Sequence, residues 1–109
     1  MNYINWKKEF KKNFKFLERE GYKLKYFEKN SGNEAYYKKG SLIIEFYFDT
    51  CDETMDVILN ENENRVNLLV CSYFEKNKRD ELFKQITGVK NLHQLFKVYS
   101  DFLISNIKK

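Results

Sequence analysis

Few side chains in this chain have the type and spacing that chemistry needs. Among its 109 residues are one histidine, His93, and two cysteines, Cys51 and Cys71. Nucleophilic catalysis requires a base beside the nucleophile, and these three offer no motif that supplies one. The cysteines do not form a C-x-x-C unit and read as two reduced thiols. A zinc site needs further ligands, and His93 has no partner at ligand spacing, so neither a metal nor another cofactor is expected. Asp49, Cys51 and Glu53 alternate with the rhythm of a calcium loop. That loop lacks the glycine at its sixth position, and Asn60 stands where the closing glutamate belongs. Glu45, Asp49, Asp52 and Asp56 could in principle pair for acid–base work. A catalytic pair must be unequally buried to separate its pKa values, and a polar segment keeps every member ionised. No catalytic residue is assigned, and the expectation is a protein that is not an enzyme.

What these carboxylates do have is density. Between Ser41 and Asn64 the chain carries 7 acidic residues and no Lys or Arg. Residues 1–40 hold 11 basic against 5 acidic side chains, and residues 65–109 hold 9 against 4. The net charge of +4 therefore conceals an acidic island in a basic chain. Dense carboxylates suit a basic protein surface, because complementary potentials speed encounter and fix register. The expected binding residues are Glu45, Tyr47, Asp49, Asp52, Glu53 and Asp56, with Tyr47, Phe48 and Tyr73 as aromatic anchors.

The elements that must position this island follow from periodicity. Leu42, Ile44, Phe46 and Phe48 alternate with Ile43, Glu45, Tyr47 and Asp49, which predicts a strand over 42–49 with one apolar face. Before it, Tyr22–Phe27 and Glu34–Lys39 read as strands joined by a turn at Asn30–Asn33. After it, Met55–Asn60 reads as a fourth strand. Arg65–Tyr73 reads as a fifth, placed centrally in the sheet. Tyr3, Trp6, Phe10, Phe14 and Leu17 mark a first helix over 3–20, with Asn2 as N-cap and Gly21 as its stop. Lys76–Arg79 reads as a charged connector, followed by a short helix over Asp80–Ile86 with acidic residues at its start. A last helix begins at Asn91, with Leu92, Leu95, Phe96, Tyr99, Phe102, Leu103 and Ile107 as its buried stripe and His93 on its surface.

A helix, about five strands and further helices, with no helix between strands, predict one α+β domain over residues 1–109. Its architecture is an antiparallel sheet with the N- and C-terminal helices packed on one face. No apolar run approaches the roughly 18 residues that suggest a membrane span. Met1–Trp6 leads into lysines rather than an apolar stretch, so no secretory leader is expected and the cytoplasm is the expected location.

The segments Phe16-Leu17-Glu18-Arg19-Glu20-Gly21-Tyr22 and Tyr36-Tyr37-Lys38-Lys39-Gly40-Ser41-Leu42-Ile43-Ile44-Glu45 resemble the small α+β immunity proteins that bacteria encode beside polymorphic or contact-dependent growth-inhibition toxins. The resemblance rests on size, element order and flavour across most of the chain. It implies a cytoplasmic, non-enzymatic inhibitor that binds one cognate toxin domain, often a nuclease. The competing expectation is a nucleic-acid-binding protein that uses Lys8, Lys11, Lys12, Lys15, Lys23 and Lys25, since clustered cations release counterions from a polyanion. Against it, Glu9, Glu18 and Glu20 dilute the lysines of the first helix, and the strands lack the pattern of an RNA-stacking sheet.

Overall fold

The computed structural model describes residues 5–28 and 33–107. Within them the chain runs through helix α1 (Trp6–Phe14), a one-turn helix α2 (Phe16–Arg19), and strands β1 (Lys23–Glu28), β2 (Asn33–Lys39), β3 (Leu42–Asp49), β4 (Thr54–Glu61) and β5 (Asn64–Asn67). Helices α3 (Lys76–Ile86) and α4 (Leu92–Asn106) complete it. The five strands form an antiparallel meander in the order β1-β2-β3-β4-β5. The architecture is the expected α+β arrangement, a sheet with helices on one side.

Strand β3 is the middle of this sheet, and its alternation decides what each face does. Leu42, Ile44, Phe46 and Phe48 are buried on the helix side. Their partners Ala35 and Tyr37 on β2 and Met55, Val57 and Leu59 on β4 are buried with them. Aromatic rings join the layers. Phe10 of α1 stacks on Phe48 at 5.3 Å and meets Phe46 edge-on at 5.1 Å, while Phe96 of α4 meets Phe48 edge-on at 5.0 Å. Such offset and edge contacts suit the ring quadrupoles. In this tightly shared core Tyr37 is fully buried, and its hydroxyl has no hydrogen-bond partner among the described residues. Burial pushes that hydroxyl up to about 12, with the Glu18 charge adding to it.

Helices α1 and α4 each begin on an asparagine. Asn5 accepts from the Lys8 backbone N–H at 3.1 Å and Asn91 from that of Gln94 at 3.3 Å, each satisfying a donor the helix leaves open. The expected cap Asn2 and the first stripe residue Tyr3 lie outside the described residues. The predicted single helix over 3–20 breaks at Lys15, where α1 gives way to α2. Gly21, at φ +99°, then lets the Tyr22 N–H reach back to the Leu17 carbonyl at 2.9 Å. All seven residues of the predicted α4 stripe are buried.

Two expectations need correction. The fifth strand is not central and does not run to Tyr73: β5 has 4 residues and lies at the sheet edge. The Asn67 side chain accepts from the Leu69 N–H at 2.9 Å, a local turn that draws the chain out of the ladder after a last rung from Leu68 N–H to the Val57 carbonyl. Val66, Leu68 and Val70 alternate in sequence, but Val70 is 68% exposed in the loop that follows. The predicted connector Lys76–Arg79 is instead the first turn of α3, so Asp80 and Glu81 fall inside that helix and its first turn holds no acidic residue. Lys76 pairs with Asp80 at 2.9 Å across one turn. Arg79 folds its guanidinium back onto the Phe74 and Leu69 carbonyls at 3.1 and 3.3 Å.

Candidate functional site

The second face of the sheet carries the side chains between the core positions. Across β1 to β5 the register sets them in rows: Lys23, Lys38, Ile43, Asn60 and Arg65; then Tyr36, Glu45, Ile58 and Asn67; then Glu34, Tyr47 and Asp56. One end of the face is thus basic and the other acidic. Among the described residues no helix covers it.

At its centre lies an unusual carboxylate. Glu45 is only 3% exposed although it faces away from the helices. The Arg65 guanidinium grips it from β5, with Nη2 at 2.7 Å from Oε1 and Nε at 3.2 and 3.3 Å from the two oxygens. Asn60 Nδ2 donates to Oε2 at 2.7 Å, and the Tyr47 hydroxyl donates to Oε1 at 2.5 Å. The network continues outward. Arg65 Nη2 donates to the Tyr47 hydroxyl at 3.1 Å, the hydroxyls of Tyr36 and Tyr47 lie 3.1 Å apart, and Tyr36 donates to Glu34 at 3.0 Å. Burial alone would raise the Glu45 carboxyl. The hydrogen bonds from Arg65, Tyr47 and Asn60 and the guanidinium charge outweigh it and leave the group below its ordinary value. Burial and donation to Glu45 in turn push the Tyr47 hydroxyl well above the phenol range, so it stays a donor at every physiological pH.

The other expected binding residues fall at the acidic end, in three roles. Asp49 closes the loop after β3 by accepting from the Cys51 and Asp52 N–H groups at 2.7 and 3.0 Å. Glu53, at φ +54°, reaches across to the start of α4 and accepts from the Leu92 N–H at 2.8 Å, where a carboxylate also meets the positive end of the helix dipole. Asp52 and Asp56 are exposed, and among the described residues neither has an ion-pair partner. Asn33, Glu34, Tyr47, Phe48, Asp49, Thr54 and Asp56 line a shallow depression of about 220 Å³ beside them. Glu61 and Glu63 stand at the opposite end, on the β4–β5 hairpin, so folding divides the acidic island in two.

No family model, curated protein or solved structure matches this chain. The reading therefore rests on the residues and their geometry.

The six lysines of the competing expectation are all exposed, yet they do not share one surface. Lys8, Lys11 and Lys12 lie along α1 and Lys15 at its end, in the helix layer, whereas Lys23 pairs with Lys38 on the uncovered face of the sheet. Of the anchors, Tyr47 is half-buried in the network, Phe48 belongs to the core, and Tyr73 is exposed in the loop after β5. His93 sits in the first turn of α4, with its ring 5.2 Å from that of Trp6 and Nδ1 3.4 Å from Glu9 Oε1. Cys51 is exposed, and Cys71 is buried with Sγ 3.4 Å from the Leu68 carbonyl. Sequence reasoning missed Arg65, Asn60 and Tyr36. The signal for them was the strand register, which sets Tyr36 and Ile58 beside Glu45 and brings β5 within reach of a long guanidinium.

Proposed function

We propose that this chain is a non-enzymatic binding protein of the immunity type, which neutralises a cognate toxin domain by docking a basic surface of that domain onto the acidic end of its open sheet face. The observation that carries the reading is the set of Glu34, Asp49 and exposed Asp56 around one depression with Tyr47, next to the loop that carries exposed Asp52. Carboxylates in this density suit a cleft built for phosphates, so a nuclease is the favoured class of toxin. Tyr47, which donates to Glu45 and accepts from Arg65, presents a pre-ordered aromatic edge, which lowers the entropy lost on binding. Glu45 serves the site from beneath as a positioning residue. The place of action is the cytoplasm, where such a toxin would meet its target.

The test is co-expression with the toxin domain encoded beside this chain. Cells should survive, and the purified pair should form a 1:1 complex that weakens steeply as salt rises. Rescue that persists when Asp52 and Asp56 are both changed to lysine would overturn the proposed site. Failure of the wild-type chain to bind or protect would overturn the function.

A further inference from the structure

The charge on the open face is arranged in a way that a single acidic docking end does not require. Three rows cross the sheet, and the outer two have opposite sign: Lys23 and Lys38 in one, from which Arg65 reaches onto Glu45, and Glu34 and Asp56 in the other. Between them lies a row of Tyr36, Glu45 and Ile58, with Ile43 and Tyr47 flanking it, all half-buried except the buried Glu45. An apolar and aromatic centre with a charged rim is the anatomy of a protein interface. The polar groups at this centre are already satisfied. Glu45 receives Arg65, Asn60 and Tyr47, so covering it would strand no bare carboxylate, the usual obstacle to closing a charged face.

We infer that this face docks a second copy of the same chain, sheet against sheet, about a two-fold axis that lies in the interface and runs across the strands along the Tyr36–Glu45–Ile58 row. That axis exchanges the two outer rows. Lys38 of one copy falls over Glu34 of the other, a pair that occurs twice as an isologous interface demands, while Arg65 stays with Glu45 of its own copy. The alternative aligned two-fold, with its axis along the strands, sets each outer row against its own sign. Five strands about 4.8 Å apart and three to four rows make a patch roughly 20 Å on a side. An area in this low size class fits a weak, reversible dimer rather than an obligate one. A protein partner that takes the acidic end displaces the second copy, so self-association and partner binding compete. The inference does not depend on the nature of that partner.

Sedimentation of the full chain from about 10 µM to about 1 mM, at low and at high salt, tests it in the weak-dimer range. The mass should rise from 13.3 kDa toward twice that value at low salt and fall back at high salt. Lys38→Glu and Glu34→Lys should each weaken the dimer about tenfold or more, because each places two like-charge contacts in the interface. The double variant Glu34→Lys with Lys38→Glu should restore it, which separates docking from a loss of fold. A monomer across the whole range overturns the inference. So does a dimer that ignores both reversals but is lost on changing the exposed Phe83 or Ile104 of the helix layer to serine.

Discussion

The two faces of β3 bury side chains by different physics. On the helix side Ile44, Phe46 and Phe48 are closed in by Phe10, Phe14 and Phe96, and what holds them is area and shape, which are not directional. On the other side Glu45 is as buried as Phe48, both at 3% exposure, yet among the described residues no helix lies over it. It is enclosed by the donors that satisfy it. The inner face should therefore tolerate a change of residue that keeps volume, whereas the outer face should be sensitive to a change of charge that keeps shape. One strand provides the core of the fold and the platform of the proposed interface through a single alternation of side chains.

Substitutions can break this contrast, and their effects should fall in a definite order. Phe46→Ala removes a ring that contacts Phe10, Phe14 and Tyr37 and should destabilise by about 3–5 kcal/mol in denaturant unfolding. Phe46→Leu should cost much less. Glu45→Ala leaves the Tyr47 hydroxyl and Asn60 amide without their acceptor and should cost about 2 kcal/mol. Glu45→Gln, almost the same shape, should recover little of that loss, and a near-wild-type Gln variant would refute the directional account of this face.

The same carboxyl sets a pH dependence. Its folded-state value lies below the ordinary 4.5, so its stabilisation is complete above that pH and is lost as pH falls through the folded-state value. Urea midpoints measured downward from neutral pH should fall less steeply for Glu45→Gln than for wild type below about pH 4.5.

Smaller effects sharpen the picture at its margins. The β4–β5 hairpin turns on Asn62 and Glu63, at φ +54° and +68°, a geometry that asparagine and glycine accept and glutamate resists. Glu63→Gly should raise stability by about 1 kcal/mol. Tyr37→Phe deletes a buried hydroxyl that has no hydrogen-bond partner among the described residues and should leave the melting temperature unchanged or slightly higher. A clear fall would show that this hydroxyl is satisfied after all.

Much of the fold could be read along the chain, and the pattern of what could not is physical. The β3 run and the α4 stripe were legible because large apolar side chains repeat there with one uninterrupted period. The end of β5 was not, since Val66, Leu68 and Val70 alternate like a strand while one Asn67 side-chain bond decides otherwise. The start of α3 was hidden because its lysines resemble loop residues until their partners one turn on are considered. At the candidate site, the exposure of Asp52 and Asp56 follows from a polar loop and the strand alternation. The burial of Glu45 does not, because its ion-pair partner Arg65 lies twenty residues away and only the register of β3, β4 and β5 brings them together.

The account turns on which surface meets the partner, and one titration decides it. The proposed toxin partner should be titrated calorimetrically with the Asp52→Lys/Asp56→Lys variant and, in parallel, with a Lys12→Glu/Lys15→Glu variant of the helix layer. All these side chains are exposed, so both variants should fold like wild type. Loss of binding by the first variant with binding retained by the second is the predicted result. Retention by the first and loss by the second would contradict it and move the interface to the helix layer.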